Sequence, residues 1–389
     1  MQPAVYCLVV SDHNVSELEC CITLQPAVTV LIASQRFVAA AQRFARTLRA
    51  RLPACSVLIP VNDELPLTGD TFANCDHWIA QVLTPALQEL KTLSQHEESL
   101  WYLNVTGGTK AIALALSRLH YWHVWHYKAY DKAYIEHIDR LDTSRPTQQI
   151  ALQPISAKEY CELYTPFSDT PITSDSGRLA MANWMWDNRR QDTGVIALCD
   201  YLRKQPPPTR RGNIQRIAFT DLGVTHESMA AFAQACAEHW PALLHCNDDY
   251  IDVLIDQWIY GGWLEDQIQS WLQSWCMRNP YGEHALLRDV RITNADNSHK
   301  AELDFVVYHR CQAFVIEAKA DIDKSGPLVK QLSLQSIQLG KKHLAVLVGP
   351  DVSTHPQKLD QLRSTLGNNQ ISLLTNQSDL INFLELRNP

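Results

Sequence analysis

Long apolar runs are missing from this sequence. The stretch 4–10 is too short to cross a bilayer, which takes about 18 apolar residues or more, and no basic n-region precedes it. Neither a membrane anchor nor a signal peptide is expected. Cysteine spacing of the metal-binding kind is missing too. The eleven cysteines include the neighbours Cys20 and Cys21, contain no CxxC pair and are odd in number. That excludes a zinc ribbon or a paired disulfide framework and fits free thiols in a reducing compartment, so a cytoplasmic protein is expected. An excess of positive charge is likewise absent: 34 Lys and Arg against 42 Asp and Glu leave a formal charge of −8. Backbone binding to nucleic acid rests on phosphate neutralisation, so a protein that coats nucleic acid is excluded. No low-complexity tract or internal repeat occurs, and 46% of the residues are hydrophobic, which describes an ordinary globular chain.

What is present has a regular order. At 389 residues the chain exceeds what one core organises, and two domains are expected. Residues 4–10, 28–34, 55–61 and 99–106 are runs rich in Val, Ile and Leu, the pattern of strands buried on both faces. Segments 36–52 and 76–93 repeat apolar residues three and four apart. The order β, β, α, β, α, β, α predicts a parallel, Rossmann-like sheet over residues 1–142. Residues 143–177 hold Pro146, Pro154, Pro166 and Pro171 among Ser, Thr and Asp and read as a linker. Residues 178–255 read as a mostly helical connector. From 256 to 389 the pattern gives a long helix (257–277), strands at 284–293, 301–309 and 312–319, a helix near 327–339 and a strand at 343–348, a second α/β unit.

That second unit carries charges where strands should be half buried. Over 301–309, alternation places Glu302, Asp304 and Val306 on one face and Leu303, Phe305 and Val307 on the other. Over 312–319, Ala313, Val315, Glu317 and Lys319 share a face opposite Phe314, Ile316 and Ala318. Asp304, Glu317 and Lys319 become neighbours if the two strands pair. Adjacent buried carboxylates repel and are costly unless something cationic joins them. Mn²⁺ or Mg²⁺ does this with one or two carboxylates, waters and a substrate phosphate. Upstream, Gly261-Gly262-Trp263-Leu264-Glu265 offers Glu265 as a further carboxylate, with Asp266 as the competing candidate. Glu265, Asp304 and Glu317 form the expected metal set, with Lys319 orienting water or offsetting developing charge. The bland alternative is a surface ion pair on an edge strand.

The first unit carries an anion-site pattern. The strand ending near Val105 runs directly into Thr106-Gly107-Gly108-Thr109-Lys110 and then an apolar helix, so free N–H groups and a helix dipole converge on the turn. Neither GxxxxGK[ST] nor GxGxxG is present, which removes support for ordinary triphosphate or dinucleotide binding. Ser11 and Asp12 follow the first strand and would collect at the same sheet edge. The alternative is a tight turn whose Thr109 only caps a helix.

The run Asn104-Val105-Thr106-Gly107-Gly108-Thr109-Lys110 resembles the ligand loop of CARF domains, the cyclic-oligoadenylate sensors of type III CRISPR systems. With Gly262-Trp263-Leu264-Glu265, Glu302-Leu303-Asp304 and Ile316-Glu317-Ala318-Lys319 downstream, the chain resembles effectors that join CARF to a PD-(D/E)xK restriction-like nuclease. The resemblance implies an α/β protein with a Rossmann-like CARF domain and a restriction-endonuclease-like domain. It implies a homodimer binding one cyclic oligoadenylate, cyclic tetra-adenylate, through Ser11, Thr106, Gly107, Gly108, Thr109 and Lys110. It also implies ligand-activated, metal-dependent cleavage of RNA or DNA by Glu265, Asp304, Glu317 and Lys319. The family often has Asn where this chain has Ala301 and Cys where it has Ala318, departures that leave the carboxylates in place.

Rival readings use other residues. Arg118 with His123, or Arg278 with His284, matches the Arg-x4-6-His motif of a metal-independent ribonuclease. The basic stretch 178–216 suits a ligand-controlled DNA-binding regulator. His120, His123 and His126 recur every three residues, which invites a metal reading against one of packing.

Overall fold

The computed structural model describes residues 3–93, 100–128, 132–142, 144–172, 175–204, 213–255, 258–279, 282–293, 299–320, 332, 339–340, 342–350 and 356–386. Strand β1 (Val5–Val10) is apolar at every position and buried along its whole length, which requires cover on both faces. It receives that cover inside a seven-stranded sheet with β2 (Val28–Ala33), β3 (Ser56–Leu58), β4 (Trp101–Asn104), β5 (Val124–Tyr127), β6 (Tyr134–Asp139) and β7 (Gln148–Ala151), in the order β3-β2-β1-β4-β5-β6-β7. The first five of these positions run parallel, whereas β6 and β7 are antiparallel additions.

Helix α1 (Val15–Leu24) joins β1 to β2, where the sequence pattern placed no helix. Its Glu17 and Glu19 are buried among apolar neighbours, and two charges on the inward face hide the amphipathic period. With α2 (Val38–Arg51) it covers the Tyr6, Leu8 and Val10 face of β1. The Val5, Cys7 and Val9 face packs on α3 (Phe72–Trp78), α4 (Thr84–Leu93) and α5 (Lys110–Ser117). A π-helical segment, Ile79–Leu83, divides α3 from α4, where one helix over 76–93 is expected from periodicity.

The segment read as a linker is folded. After β7 comes α6 (Ala157–Tyr164), opened by a capping box between Ser156 and Glu159, and then β8 (Phe167–Thr170). Pro146, Pro154, Pro166 and Pro171 stand just outside these elements, where a residue with fixed φ and no N–H is tolerated. They mark boundaries, not an absence of structure.

Residues 176–255 are more than a helical connector. Helices α7 (Ser176–Asn188) and α8 (Thr193–Lys204) lead to β9 (Asn213–Ala218), α9 (Phe219–Leu222), α10 (His226–His239), β10 (Leu244–Cys246) and β11 (Tyr250–Ile255). The three strands form an antiparallel sheet in the order β10-β11-β9. From α8 onward, the order helix, strand, helix, helix, strand, strand, with first and last strands paired, is that of a winged helix.

Helix α11 (Trp263–Cys276) follows, then β12 (Leu286–Thr293), β13 (His299–His309), β14 (Gln312–Lys319), β15 (Lys342–Val348), α12 (Pro356–Gly367), β16 (Ile371–Leu374) and α13 (Gln377–Leu384). The helix expected near 327–339 falls mostly outside the described residues. The strands make a second sheet, β16-β15-β14-β13-β12-β8, so β8 carries the chain out of the first sheet into the edge of the second. One continuous core joins the sheets: Tyr6, Leu8, Phe44 and Leu48 from the first side, Tyr160 and Cys161 of α6 between, Val290, Val306 and Val315 from the second. Tyr308 of β13 donates to Glu19 Oε1 of α1 at 2.6 Å across this seam. The opposite face of the second sheet packs on α11, α13 and the winged-helix unit. All eleven cysteines are free thiols. Among the described residues, no helix is long and apolar enough to cross a membrane.

Candidate functional site

The carboxylate site grows from a break in the pleat. Regular alternation would put Leu303, Phe305 and Val307 on one face. Instead Leu303 joins the core shared with α6, while Phe305 and Val307 join the core beside α11. The change falls at Asp304. In the β12–β13 ladder Arg288 pairs with Phe305 and Val290 with Leu303, and between them Asp289 is left-handed at φ 49°. A left-handed non-glycine residue inside a strand marks local strain of the kind found at functional positions.

On the other side of β13, Phe305 pairs with Ile316. One further step along that register sets Asp304 opposite Glu317. The Ala318 N–H donates to Asp304 Oδ2 at 2.7 Å, and Lys319 Nζ donates to Glu317 Oε1 at 2.6 Å. The structure therefore brings Asp304, Glu317 and Lys319 together. Burial, then the charges of Glu317 and Glu265, push the Asp304 carboxyl well above the ordinary aspartate value, against the pull of Lys319 and the Ala318 N–H. Burial works against the Lys319 ammonium, but Glu317 and Asp304 outweigh it and hold the proton on.

Glu265, in the first turn of α11, acts on both by charge, and burial raises its own pKa despite Arg288. Arg288 Nη2 donates to Glu265 Oε2 at 3.2 Å. Asp266 is not a free alternative. It is wholly buried and accepts from Arg178 Nη2 at 2.9 Å, Trp258 Nε1 at 2.8 Å and Arg288 Nη1 at 2.6 Å. Arg288 was not singled out from the sequence, where a lone arginine in the strand LLRDVRIT gives no signal of its partners.

Among the described residues, no three His, Cys, Asp or Glu side chains stand together so that they could hold a metal ion. The donor set fits a different kind of ion. Glu317 is 3% exposed, yet its Oε2 has no hydrogen-bond partner among the described residues. An orphaned carboxylate oxygen beside a crowded second carboxyl suits Mg²⁺ or Mn²⁺, which use one or two carboxylates and keep several waters.

The loop site lies at the carboxyl edge of the first sheet. β1 is flanked by β2 on one side and β4 on the other, so the chain reverses direction of winding between β1 and β4, the position where α/β sheets bind ligands. Ser11 follows β1 and Thr106-Gly107-Gly108-Thr109-Lys110 follows β4. The Thr106 N–H donates to Asn104 Oδ1 at 2.8 Å, and Thr106 Oγ1 accepts from the Lys128 N–H at 2.9 Å. Thr109 caps α5 by accepting from the Ile112 N–H at 3.3 Å and donates to the Gly69 carbonyl at 2.8 Å. Both glycines are needed for close approach: a Cβ on Gly107 would lie 2.5 Å from the Val9 carbonyl oxygen, and Gly108 has φ +82° with Val9 Cγ1 2.5 Å from such an atom. Glu17 lies beneath Gly107, and burial, opposed by Lys128, pushes its carboxyl up to about 7. Lys110 is exposed. Asp12 is exposed and paired with Arg36 at 3.1 Å, turned to an ion pair of its own.

The rival residues are engaged elsewhere. Arg118 pairs with Asp76 at 3.4 Å, and His123 Nδ1 accepts from the Trp101 N–H at 3.1 Å. Arg278 donates to the Ser274 carbonyl at 3.1 Å, and His284 lies on the rim of a groove with Lys158 and Glu162. His120 stacks on Tyr121, and His126 bonds His137 at 3.0 Å inside the sheet, so the three histidines do not converge. In the basic stretch, Arg189 is buried over Trp263 and Arg216 pairs with Asp252 at 2.9 Å. Helix α10, which holds the place of a recognition helix, contains Glu227 and Glu238 and no Lys or Arg, a poor match to phosphate.

No family model matches the chain, and no curated protein matches it. Solved structures do. The crystal structure of protein VC1899 from Vibrio cholerae superposes with a TM-score of 0.70, 11% identity, and coverage of 98% of this chain and 96% of that one. Can2 from Sulfobacillus thermosulfidooxidans, in complex with cyclic tetra-adenylate, gives 0.65, 18%, 98% and 97%. A type III CRISPR defence DNA nuclease activated by cyclic oligoadenylate gives 0.51 at 14% identity, covering 90% of this chain and 45% of that longer one. At these identities what is shared is the fold. The chain has the mixed α/β fold of the class of protein that its sequence resembles.

Proposed function

We propose that this chain is a CARF-type, cyclic-oligoadenylate-activated endonuclease with a PD-(D/E)xK site, dependent on Mn²⁺ or Mg²⁺, that cleaves RNA or DNA in type III CRISPR defence in the cytoplasm. One observation carries the hydrolytic half: the buried, unpartnered Glu317 Oε2 stands on the strand facing an Asp304 whose carboxyl is raised by burial and by that neighbour. Crowded negative charge without a counter-cation is costly, and a divalent ion relieves it. The metal, when bound, supplies charge to polarise a phosphoryl oxygen and to activate water. Asp304 and Glu317 would hold it, with Glu265 on α11 as the further carboxylate whose charge acts on the same site. Lys319, kept protonated by its two acidic neighbours, presents a cation toward charge developing on the phosphate.

The sensing half is supported by the backbone N–H groups and exposed Lys110 at the β1/β4 switch point, and by a fold shared with a protein bound to cyclic tetra-adenylate. A symmetric ring suits an isologous homodimer that places two such loops across a two-fold axis.

The test is a matrix: labelled single-stranded RNA, single-stranded DNA and supercoiled plasmid, each cyclic oligoadenylate, with Mn²⁺ or with EDTA. Cleavage that needs both a ring and the metal is expected. Cleavage surviving EDTA would move the chain to the metal-independent ribonuclease class.

A further inference from the structure

We propose that Lys128 links the two halves of the molecule: its backbone holds the ligand loop and its buried ammonium serves the turn of the hairpin that carries Asp304 and Glu317, so that an anion on the loop is felt at that hairpin. The inference deepens the sensing reading above and rests on it. Lys128 is 2% exposed, just after β5. Its N–H donates to Thr106 Oγ1, and its Nζ donates to Ser16 Oγ at 3.0 Å. This one buried cation acts by charge on two buried carboxylates, Glu17 and Glu19. Each of them keeps an oxygen, Oε2, with no hydrogen-bond partner among the described residues. Glu17 Oε1 is 3.1 Å from where a Cβ on Gly107 would stand, directly under the loop. Glu19 reaches the other way. It accepts from Tyr308 of β13 and from the Cys311 thiol, which itself accepts from Lys128. Arg310 and Cys311 form the two-residue turn between β13 and β14, both at positive φ, 49° and 63°. Turns of this kind favour Asn and Gly, so this one is held against preference by what it touches. Asp304 and Glu317 lie at the far end of the same hairpin.

One ammonium cannot neutralise two buried carboxylates, and burial raises both carboxyls, Glu17 to about 7. Tyr6, Cys20 and Cys21, the other titratable groups packed there, are kept neutral by burial. Two arrangements result: the proton on Glu19 with Lys128 serving Glu17, or the proton on Glu17 with Lys128 serving Glu19. A phosphate above Gly107 repels an ionised Glu17 and so favours the second. The charged Glu19 then accepts more strongly from Tyr308 and Cys311 and stiffens the turn. Loop and hairpin thus bias one two-state element, which is what coupling requires.

The experiment compares full-length wild type, Tyr308→Phe, Lys128→Met, Glu19→Gln and Glu19→Gln/Tyr308→Phe, with and without saturating cyclic tetra-adenylate. Ring binding is followed by equilibrium dialysis, amide hydrogen exchange across 305–316 by mass spectrometry, and stability by thermal melts. In wild type the ring should slow exchange of the hairpin about threefold or more. Tyr308→Phe and Lys128→Met should still take up the ring but lose this slowing, and ring-stimulated cleavage should fall about tenfold. The double variant should lose no more than Tyr308→Phe alone. Unchanged or faster exchange in ring-bound wild type, or the same slowing in Tyr308→Phe, overturns the proposal. A merely structural contact would lower the melting temperature and leave the ring-induced slowing in place. If Lys128→Met does not fold, Tyr308→Phe, which removes one hydroxyl, decides alone. Wild type that binds no ring sinks the sensing reading itself, a result separable from a bound ring whose effect never reaches the hairpin.

Discussion

The loop on the first sheet and the carboxylates on the second face opposite electrostatic demands. The loop offers main-chain N–H groups, a helix N-terminus and the exposed Lys110, all from one contiguous stretch whose shape is set by Gly107 and Gly108 against Val9. The carboxylate site gathers like charge from β13, β14 and α11, with Lys319 and Arg288 as the cations that make the gathering tolerable. A site of backbone geometry is lost by adding atoms; a site of converging side chains is lost by removing them.

The sharpest way to break that contrast is Glu317→Ala. Cleavage should fall by about a thousandfold or more while binding of labelled cyclic tetra-adenylate, read by equilibrium dialysis, is unchanged. Retained turnover would leave the second site without a role. Gly107→Val is the mirror experiment. Its side chain meets the Val9 carbonyl, the loop must shift, and the ring concentration for half-activation should rise about a hundredfold, roughly 3 kcal/mol of coupling, with Mn²⁺ affinity unaltered.

Asp304→Asn sharpens the comparison through pH. The Asp304 carboxyl is raised in the folded chain and ordinary in the unfolded one, so the folded state binds the proton more tightly. Metal-free protein then loses stability as pH climbs from the unfolded aspartate value, about 3.9, toward the raised one. Asn abolishes cleavage but removes this loss, so its metal-free melting temperature should exceed that of wild type by a few degrees, about 2 or more, at pH 8. The two should converge at pH 4. A pH-independent difference would assign the effect to packing. Lys110→Ala is the mildest: one exposed charge near a phosphate is worth about 1 kcal/mol, so half-activation should move about fivefold, and more at low salt.

Legibility in the sequence followed the same division. The loop was visible because its strand, glycines and helix cap are consecutive letters, and Asp304, Glu317 and Lys319 were visible because charge interrupts apolar strands with a period of two. What stayed hidden depended on partners distant in the chain. Glu17 and Glu19 concealed α1 because burying them requires Lys128 and Tyr308, which no local pattern announces. Arg288 gave no sign of Asp266 or Gln269. The prolines around α6 and β8 read as a linker by composition alone, since their boundary role depends on pairing between β8 and β12, some 120 residues apart.

That pairing limits how this protein can be recombined. A chimera cut between β8 and α7 to graft another effector onto the sensor would keep β8 with the sensor and leave the donor's β12 with a bare row of amide and carbonyl groups, an invitation to aggregation. Transplantable halves would have to exchange α6 and β8 together with the nuclease sheet. Swapping effectors by simple fusion at the proline-rich stretch should yield insoluble protein even when both parent proteins express well.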